Sequence, residues 1–188
     1  MIKVRNPNQL DIFDPWNFLT PKRRQMLECG WPGLFRHHIL TSIPVNKVSK
    51  YFNATFGRPT KELYSMLGAL ILQQTFDLTD EETIQQYAFN IQWHYSLNIS
   101  EESDSAKYIS LKTLWSDRNI IAQNDLEKDM FNAGTTTLVE VFNVNTDKQR
   151  IDSVHIKSNM RRLGRIGIFS QSIHKFLVNL KRGNQEQF

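Results

Sequence analysis

Asp152 is the residue of this 188-residue chain that most directly raises the question of chemistry. It lies in the run Gln149-Arg150-Ile151-Asp152-Ser153-Val154-His155-Ile156, in which Ile151, Val154 and Ile156 are β-branched; the run is too short for a stable helix, and Asp147 just upstream offers a turn. That pattern predicts a short strand with Asp152 inside it. A lone carboxylate is costly to bury, so an aspartate in a strand sits on a solvated edge, pairs with a cation or holds a metal ion. From the run alone three bland readings stay open beside the metal ligand. They are an edge position, a partnership with Arg150, Arg161 or Arg162, and a turn residue if the run is not a strand. The other groups able to bind metal offer less. His37, His38, His94, His155 and His174 show no ligand spacing; His37-His38 reads as surface or helix packing and His155 as a strand neighbour. Cys29 is the single cysteine, so an internal disulfide is excluded and zinc has no thiolate pair; it reads as a core or helix-end residue in a reducing cytoplasm.

Charge supplies the second chemical feature. The net charge of +4 is too small to decide anything, but its distribution is uneven. From Asp77 to Asp104 every charged residue is acidic, whereas after Asp152 the chain carries Lys157, Arg161, Arg162, Arg165, Lys175, Lys181 and Arg182 against Glu186 alone. That asymmetry predicts a C-terminal part that faces a polyanion, with a merely solvated helix face as the alternative. The 40% hydrophobic content supports a genuine core. Membrane insertion is not expected. No apolar leader follows Met1, and the longest apolar run, Met66 to Leu72, falls far short of the ~20 residues needed to span a bilayer.

The elements that would position these residues are mostly helical. Residues 1–19 lack periodicity but hold Phe13, Trp16 and Phe18, which predicts an irregular arm docking aromatics on the body. Thr20-Pro21 opens a helix that Gly30 stops, Pro32 to Ile43 is a second and Pro44 to Phe52 a third. After Gly57-Arg58-Pro59-Thr60 comes the strongest amphipathic helix, with Leu63, Met66, Leu67, Leu70, Ile71 and Gln74 at helical spacing and Leu72 and Phe76 widening the stripe; it belongs at the centre of a bundle. Thr79 and Glu82 form a capping box ahead of Ile84, Tyr87, Ala88 and Ile91. Trp93, Tyr95 and Leu97 lead to a polar loop, Asn98 to Asp104, and Ser110 starts a helix with Leu111, Leu114, Trp115 and Ala122 on one side. Asn124-Asp125-Leu126-Glu127 offers a further cap, leading a helix through Val141 that Gly134 and Thr135-Thr136-Thr137 weaken. The polar stretch Asn143 to Lys148 marks a boundary between residues 1–145 and 146–188. Beyond the predicted strand, Leu163, Ile166, Phe169, Ile173, Phe176, Leu177 and Leu180 give one more helical stripe.

This order of features resembles a known family. Gly57-Arg58-Pro59-Thr60-Lys61-Glu62-Leu63, the downstream Leu78-Thr79-Asp80-Glu81-Glu82-Thr83, and Arg150-Ile151-Asp152-Ser153-Val154-His155-Ile156 with Ser158-Asn159-Met160 and Leu163-Gly164-Arg165 are similar to the DDE insertion-sequence transposases of bacteria. Within these they resemble the group whose N-terminal part is the transposase InsH N-terminal domain. The resemblance covers roughly residues 10–182 and implies a helical domain that binds terminal inverted repeats, followed by an RNase H-like catalytic domain. Asp152 matches the first of that domain's three carboxylates, a ligand for the two Mg²⁺ ions that such enzymes use to align a hydroxyl and a leaving oxygen about a phosphate.

The departure from the pattern shapes the expectation. The second Asp and the final Glu of the family have no counterpart, since Glu186 is the one carboxylate after Asp152 and stands in the wrong context. The expected fold class is therefore mainly α, an N-terminal helical bundle followed by a short strand and helix from an incomplete RNase H-like domain. The expected function is that of a truncated, cytoplasmic transposase fragment that binds DNA without autonomous strand transfer and holds no Mg²⁺ by itself. Phosphate contacts are expected from Lys22, Arg23, Arg24, Arg36, Lys47, Lys50, Arg58 and Lys61, and from Arg161, Arg162 and Arg165 beyond the strand. The second reading is a helical interaction module that forms homo-oligomers or associates with full-length transposase through Leu63/Leu67/Leu70-type faces or the unpaired strand of Ile151 to Ile156. A complete nuclease is the least favoured reading.

Overall fold

The helix over 63–75 was expected to be central, and its surroundings show why. The computed structural model describes residues 1–6, 14–57 and 59–145. Among them the chain is mainly helical, in the order α1 (Pro21–Cys29), α2 (Trp31–Leu34), a π-helical turn Phe35–Ile39, α3 (Leu40–Ser42), α4 (Val45–Ser49), α5 (Leu63–Thr75), α6 (Asp80–Phe89), α7 (Ile91–Ser96), α8 (Asp104–Lys107), α9 (Leu111–Gln123) and α10 (Glu127–Val141). No strand occurs among the described residues; the extended backbone pairs once, at a parallel bridge between Lys3 and Glu62. The predicted strand around Asp152 and the helix after it lie outside the described residues.

On α5, Leu63, Met66, Leu67, Ala69, Leu70 and Leu72 are all buried, and so are Ser65 and Gln73, so the Leu63/Leu67/Leu70 face expected to meet a partner is taken up by the chain's own core. A helix apolar on most sides must be enclosed on most sides. Phe35, Leu40, Ile43, Val45 and Val48 cover it from the preceding helices, and Tyr87, Trp93, Leu97, Ile109, Leu114 and Ile121 join the same core from α6, α7, α9 and their connections. Each such large side chain contributes roughly 1.5–3 kcal/mol by leaving water. Close approach is possible because residue 68 is glycine: a Cβ there would meet Leu97 Cδ2 at 2.5 Å and Leu40 Cδ1 at 3.2 Å.

Helix ends follow local rules where the chain leaves them room. Thr79 Oγ1 accepts from Glu82 N and Glu82 Oε2 accepts from Thr79 N at 2.8 Å, which is the expected capping box. Ser110 caps α9 through Thr113 N. At α5 the capping residue is Glu62, whose carboxylate accepts from Tyr64 N, Ser65 N and also Arg5 N. The N-terminal residues thus dock by backbone bonds, with Lys3 O accepting from Leu63 N and Met1 O from Thr60 N. Of the predicted aromatic anchors, Trp16 is buried, Phe18 is 67% exposed and Phe13 is outside the described residues.

Three local expectations need correction. The helix predicted over 32–43 starts at Trp31 and contains a π-helical turn, which shifts the phase of Arg36, His37 and His38 relative to a regular helix. The predicted cap at Asn124-Asp125 does not form. Asn124 Nδ2 donates back to the Ile120 carbonyl at 2.7 Å, Asp125 takes a φ of 53°, and Leu126 stands at the α10 N-cap with no side-chain acceptor. The junction is so short that its polar residues serve the end of α9. On α9 the buried face is Leu114 with Ile121; Leu111, Trp115 and Ala122 are exposed.

Candidate nucleic-acid interface

A cation contacts a phosphate most readily when it is exposed and not already bonded within the fold, so the environment of each predicted contact decides its use. Lys22, Arg23 and Arg24 occupy the first turn of α1, where Pro21 removes an amide that would have no acceptor and Thr20 stands extended at the N-cap. All three are exposed. Arg24 pairs with Asp14, whose carboxylate also accepts from Trp16 N at 3.0 Å. That backbone bond, together with Arg24, holds Asp14 below the usual aspartate value despite the opposing effect of burial. Lys22 and Arg23 make no hydrogen bond or ion pair among the described residues.

Arg36 is used differently. The π-helical turn directs its guanidinium onto the Tyr95 ring, 4.7 Å from Cζ to the centroid, and near Trp16 at 5.9 Å, while one amino group donates to Asn98 Oδ1 at 2.9 Å. Tyr95 in turn donates to Glu28, which also accepts from His37 Nε2 at 2.9 Å. Burial alone would raise the Glu28 carboxyl, but Tyr95, His37 and Arg36 outweigh it and keep Glu28 below its ordinary value. Burial and the adjacent carboxylate push the Tyr95 phenol up to about 12. This network clamps the C-terminal end of α1 to the helices that follow and withdraws the acid of α1 from its outer side.

The remaining predicted cations are spread over other elements. Lys47 on α4 pairs with Asp129 on α10 at 2.8 Å, and Lys50, just after α4, is exposed. Lys61 donates to the carbonyls of Asp104 and Ser105, at 3.2 and 2.6 Å, tying the approach to α5 to α8. The structure therefore brings Lys22, Arg23 and Arg24 together on one element and engages Arg36 and Lys61 inside the fold. Asp152, Arg58, Arg161, Arg162 and Arg165 lie outside the described residues.

Two groups that sequence reading passed over also shape the surface. Arg118 on α9 donates to Gln73 Oε1 at 3.0 Å and to Asp80 Oδ1 at 2.6 Å, linking α5, α6 and α9. Next to it, burial pushes the Asp117 carboxyl up to about 6. The signal that could have found them is their place on the flank of the Leu114/Ile121 stripe. Among the described residues no three His, Cys, Asp or Glu side chains gather as a metal set, and no helix is long and apolar enough to cross a membrane.

Residues 32–119, just under half of the chain, match a family model described as Transposase domain (DUF772). The match supports a transposase family and begins shortly after α1. No curated protein and no solved structure matches the chain.

Proposed function

We propose that the helical body of this chain binds duplex DNA at the terminal inverted repeats of a mobile element, as the DNA-binding part of a transposase of the DDE, InsH-like type. The observation that carries the reading is the transposase-domain match over residues 32–119, adjoining a helix with three exposed cations in its first turn. Lys22 and Arg23 supply phosphate contacts directly, joined by Lys50. Arg24 and Lys47 join by exchanging their carboxylate partners, and Arg36 and Lys61 position the elements around them. In the same reading residues 146–188 begin an RNase H-like domain, with Arg58, Arg161, Arg162 and Arg165 as further contacts and Asp152 as its first metal-binding position.

Strand transfer by this chain alone is not part of the reading. An electrophoretic shift with duplexes taken from the DNA flanking the reading frame, repeated at rising salt, tests the binding. A retarded complex that dissolves as salt rises is expected, and absence of any complex at low salt contradicts the proposal.

A second reading, association with another copy or with full-length transposase, is favoured by α10 and its end, where Phe131 and Phe142 are 70% and 60% exposed. Light scattering across a concentration series, alone and mixed with full-length transposase, tests it; a monomer throughout and no mixed complex together remove that reading.

A further inference from the structure

Resting on the DNA-binding reading above, we infer that α1 is the element that enters the major groove, with Gln25 and Met26 turned to the base edges and Lys22 and Arg23 to the adjoining phosphates. The placement follows from how α1 is held. Leu27 is its single buried residue, in a small cluster with Trp16, Leu19 and Tyr95. Arg24 is drawn to Asp14, and Glu28 to Tyr95 and His37. These three neighbouring directions around the helix define its packed side. Positions 22, 25, 26 and 29 follow the i, i+3, i+4, i+7 rule and form the opposite side. All four are exposed, Met26 at 76%.

The chemistry of that outward side suits base edges. Glutamine pairs in two-point fashion with adenine N6 and N7, and the methionine side chain offers apolar contact to the thymine methyl. No carboxylate stands on it to repel the backbone. Arg23, on the flank, is placed for a phosphate, and the positive end of the helix dipole lies at the same first turn. A helix is about 10–12 Å across with its side chains, which the ~12 Å major groove of B-DNA admits and the ~6 Å minor groove does not. The outward side has no aromatic ring on which an unpaired base could stack, and the major groove of A-form RNA is too narrow for a helix, so duplex DNA is the partner that fits. Another described helix with an exposed cation, α9, offers Lys112 beside exposed Leu111 and Trp115.

Selection from a pool of randomised 20-base-pair duplexes, using the full chain, tests the assignment. The unmodified protein is expected to enrich one sequence motif. Gln25→Ala/Met26→Ala is expected to retain its affinity for random duplex while its preference for the motif falls roughly tenfold. Lys22→Ala/Arg23→Ala is expected to weaken binding to every sequence and to reduce the salt slope by about 1.8. Lys112→Ala on α9 serves as the control and is expected to select the same motif. The assignment is overturned if Gln25→Ala/Met26→Ala, folded by circular dichroism, selects the same motif with undiminished preference, or if the unmodified chain binds duplexes with no preference at all. Failure of the unmodified chain to bind any duplex at low salt is a separate result: it removes the DNA-binding reading itself.

Discussion

Asp117 shows how far a single residue can depart from what its type predicts. Its carboxyl titrates at about 6 in the fold, against an ordinary value of 3.8, because burial on α9 disfavours the ionised form. The native state therefore holds more proton than the unfolded chain between these values, and stability falls as pH rises from about 4 through 6. At neutral pH the cost is on the order of 1–3 kcal/mol. Asp117→Asn is expected to stabilise the protein at pH 7 and to flatten that part of the curve in urea denaturation measured at pH 4 and pH 7. An unchanged pH profile would contradict the assignment. His94 acts in the opposite sense. Burial lowers its pKa below 6.5 while its ring donates to the Tyr87 carbonyl at 2.8 Å, so its contribution is present above 6.5 and is lost as pH falls below it. Arg36 makes the same point for cations. Arg36→Ala removes the stacking on Tyr95 and the bond to Asn98 and is expected to cost about 1–2 kcal/mol in thermal unfolding. Duplex affinity measured below the melting range should change less than that of Lys22→Ala; a larger loss would place Arg36 on the DNA. Sequence alone could list these side chains as charged but could not sort the free from the engaged, because that depends on which aromatic ring or carbonyl the fold brings alongside.

At the scale of elements, the helices with strong local signals were legible and the junctions were not. Periodicity located α5 and α6, and the Thr79/Glu82 pair marked the start of α6, because apolar spacing and capping act within a few residues. The π-helical turn at Phe35–Ile39 left no such mark, and the polar run at Asn124-Asp125 misled because a tight junction can satisfy either of the two helices it joins. The α1–α2 junction yields a sharper prediction. A Cβ at position 33 would lie 2.0 Å from the carbonyl oxygen of Glu28, which is backbone and cannot turn aside. Gly33→Ala is therefore expected to destabilise the protein by ~3 kcal/mol or more and to displace α1 from the helices after it, read by urea denaturation and by loss of duplex affinity together. A substitution that is neutral in both would show that α1 does not depend on this close approach.

For the whole molecule, the mainly helical body was readable from the sequence, and the transposase-domain match over residues 32–119 gives it a context in transposition. The catalytic part rested on Asp152, one carboxylate in a short run, which is too little sequence to specify a sheet. Asp152→Ala is expected to leave duplex affinity unchanged and to alter nothing in a cleavage assay with Mg²⁺ or Mn²⁺, whereas Asp152-dependent cutting would show a working metal site. The central claim is that this helical body grips DNA through cations the fold leaves unpaired. Its most direct measurement is fluorescence anisotropy of a labelled 20-base-pair duplex from the flanking DNA, titrated with the full chain between 50 and 200 mM salt. With Lys22, Arg23 and Lys50 on phosphates, affinity should fall with a log–log slope of about −2.7, and more steeply with each further cation that engages. No binding at 50 mM, or binding that does not change with salt, would contradict the account.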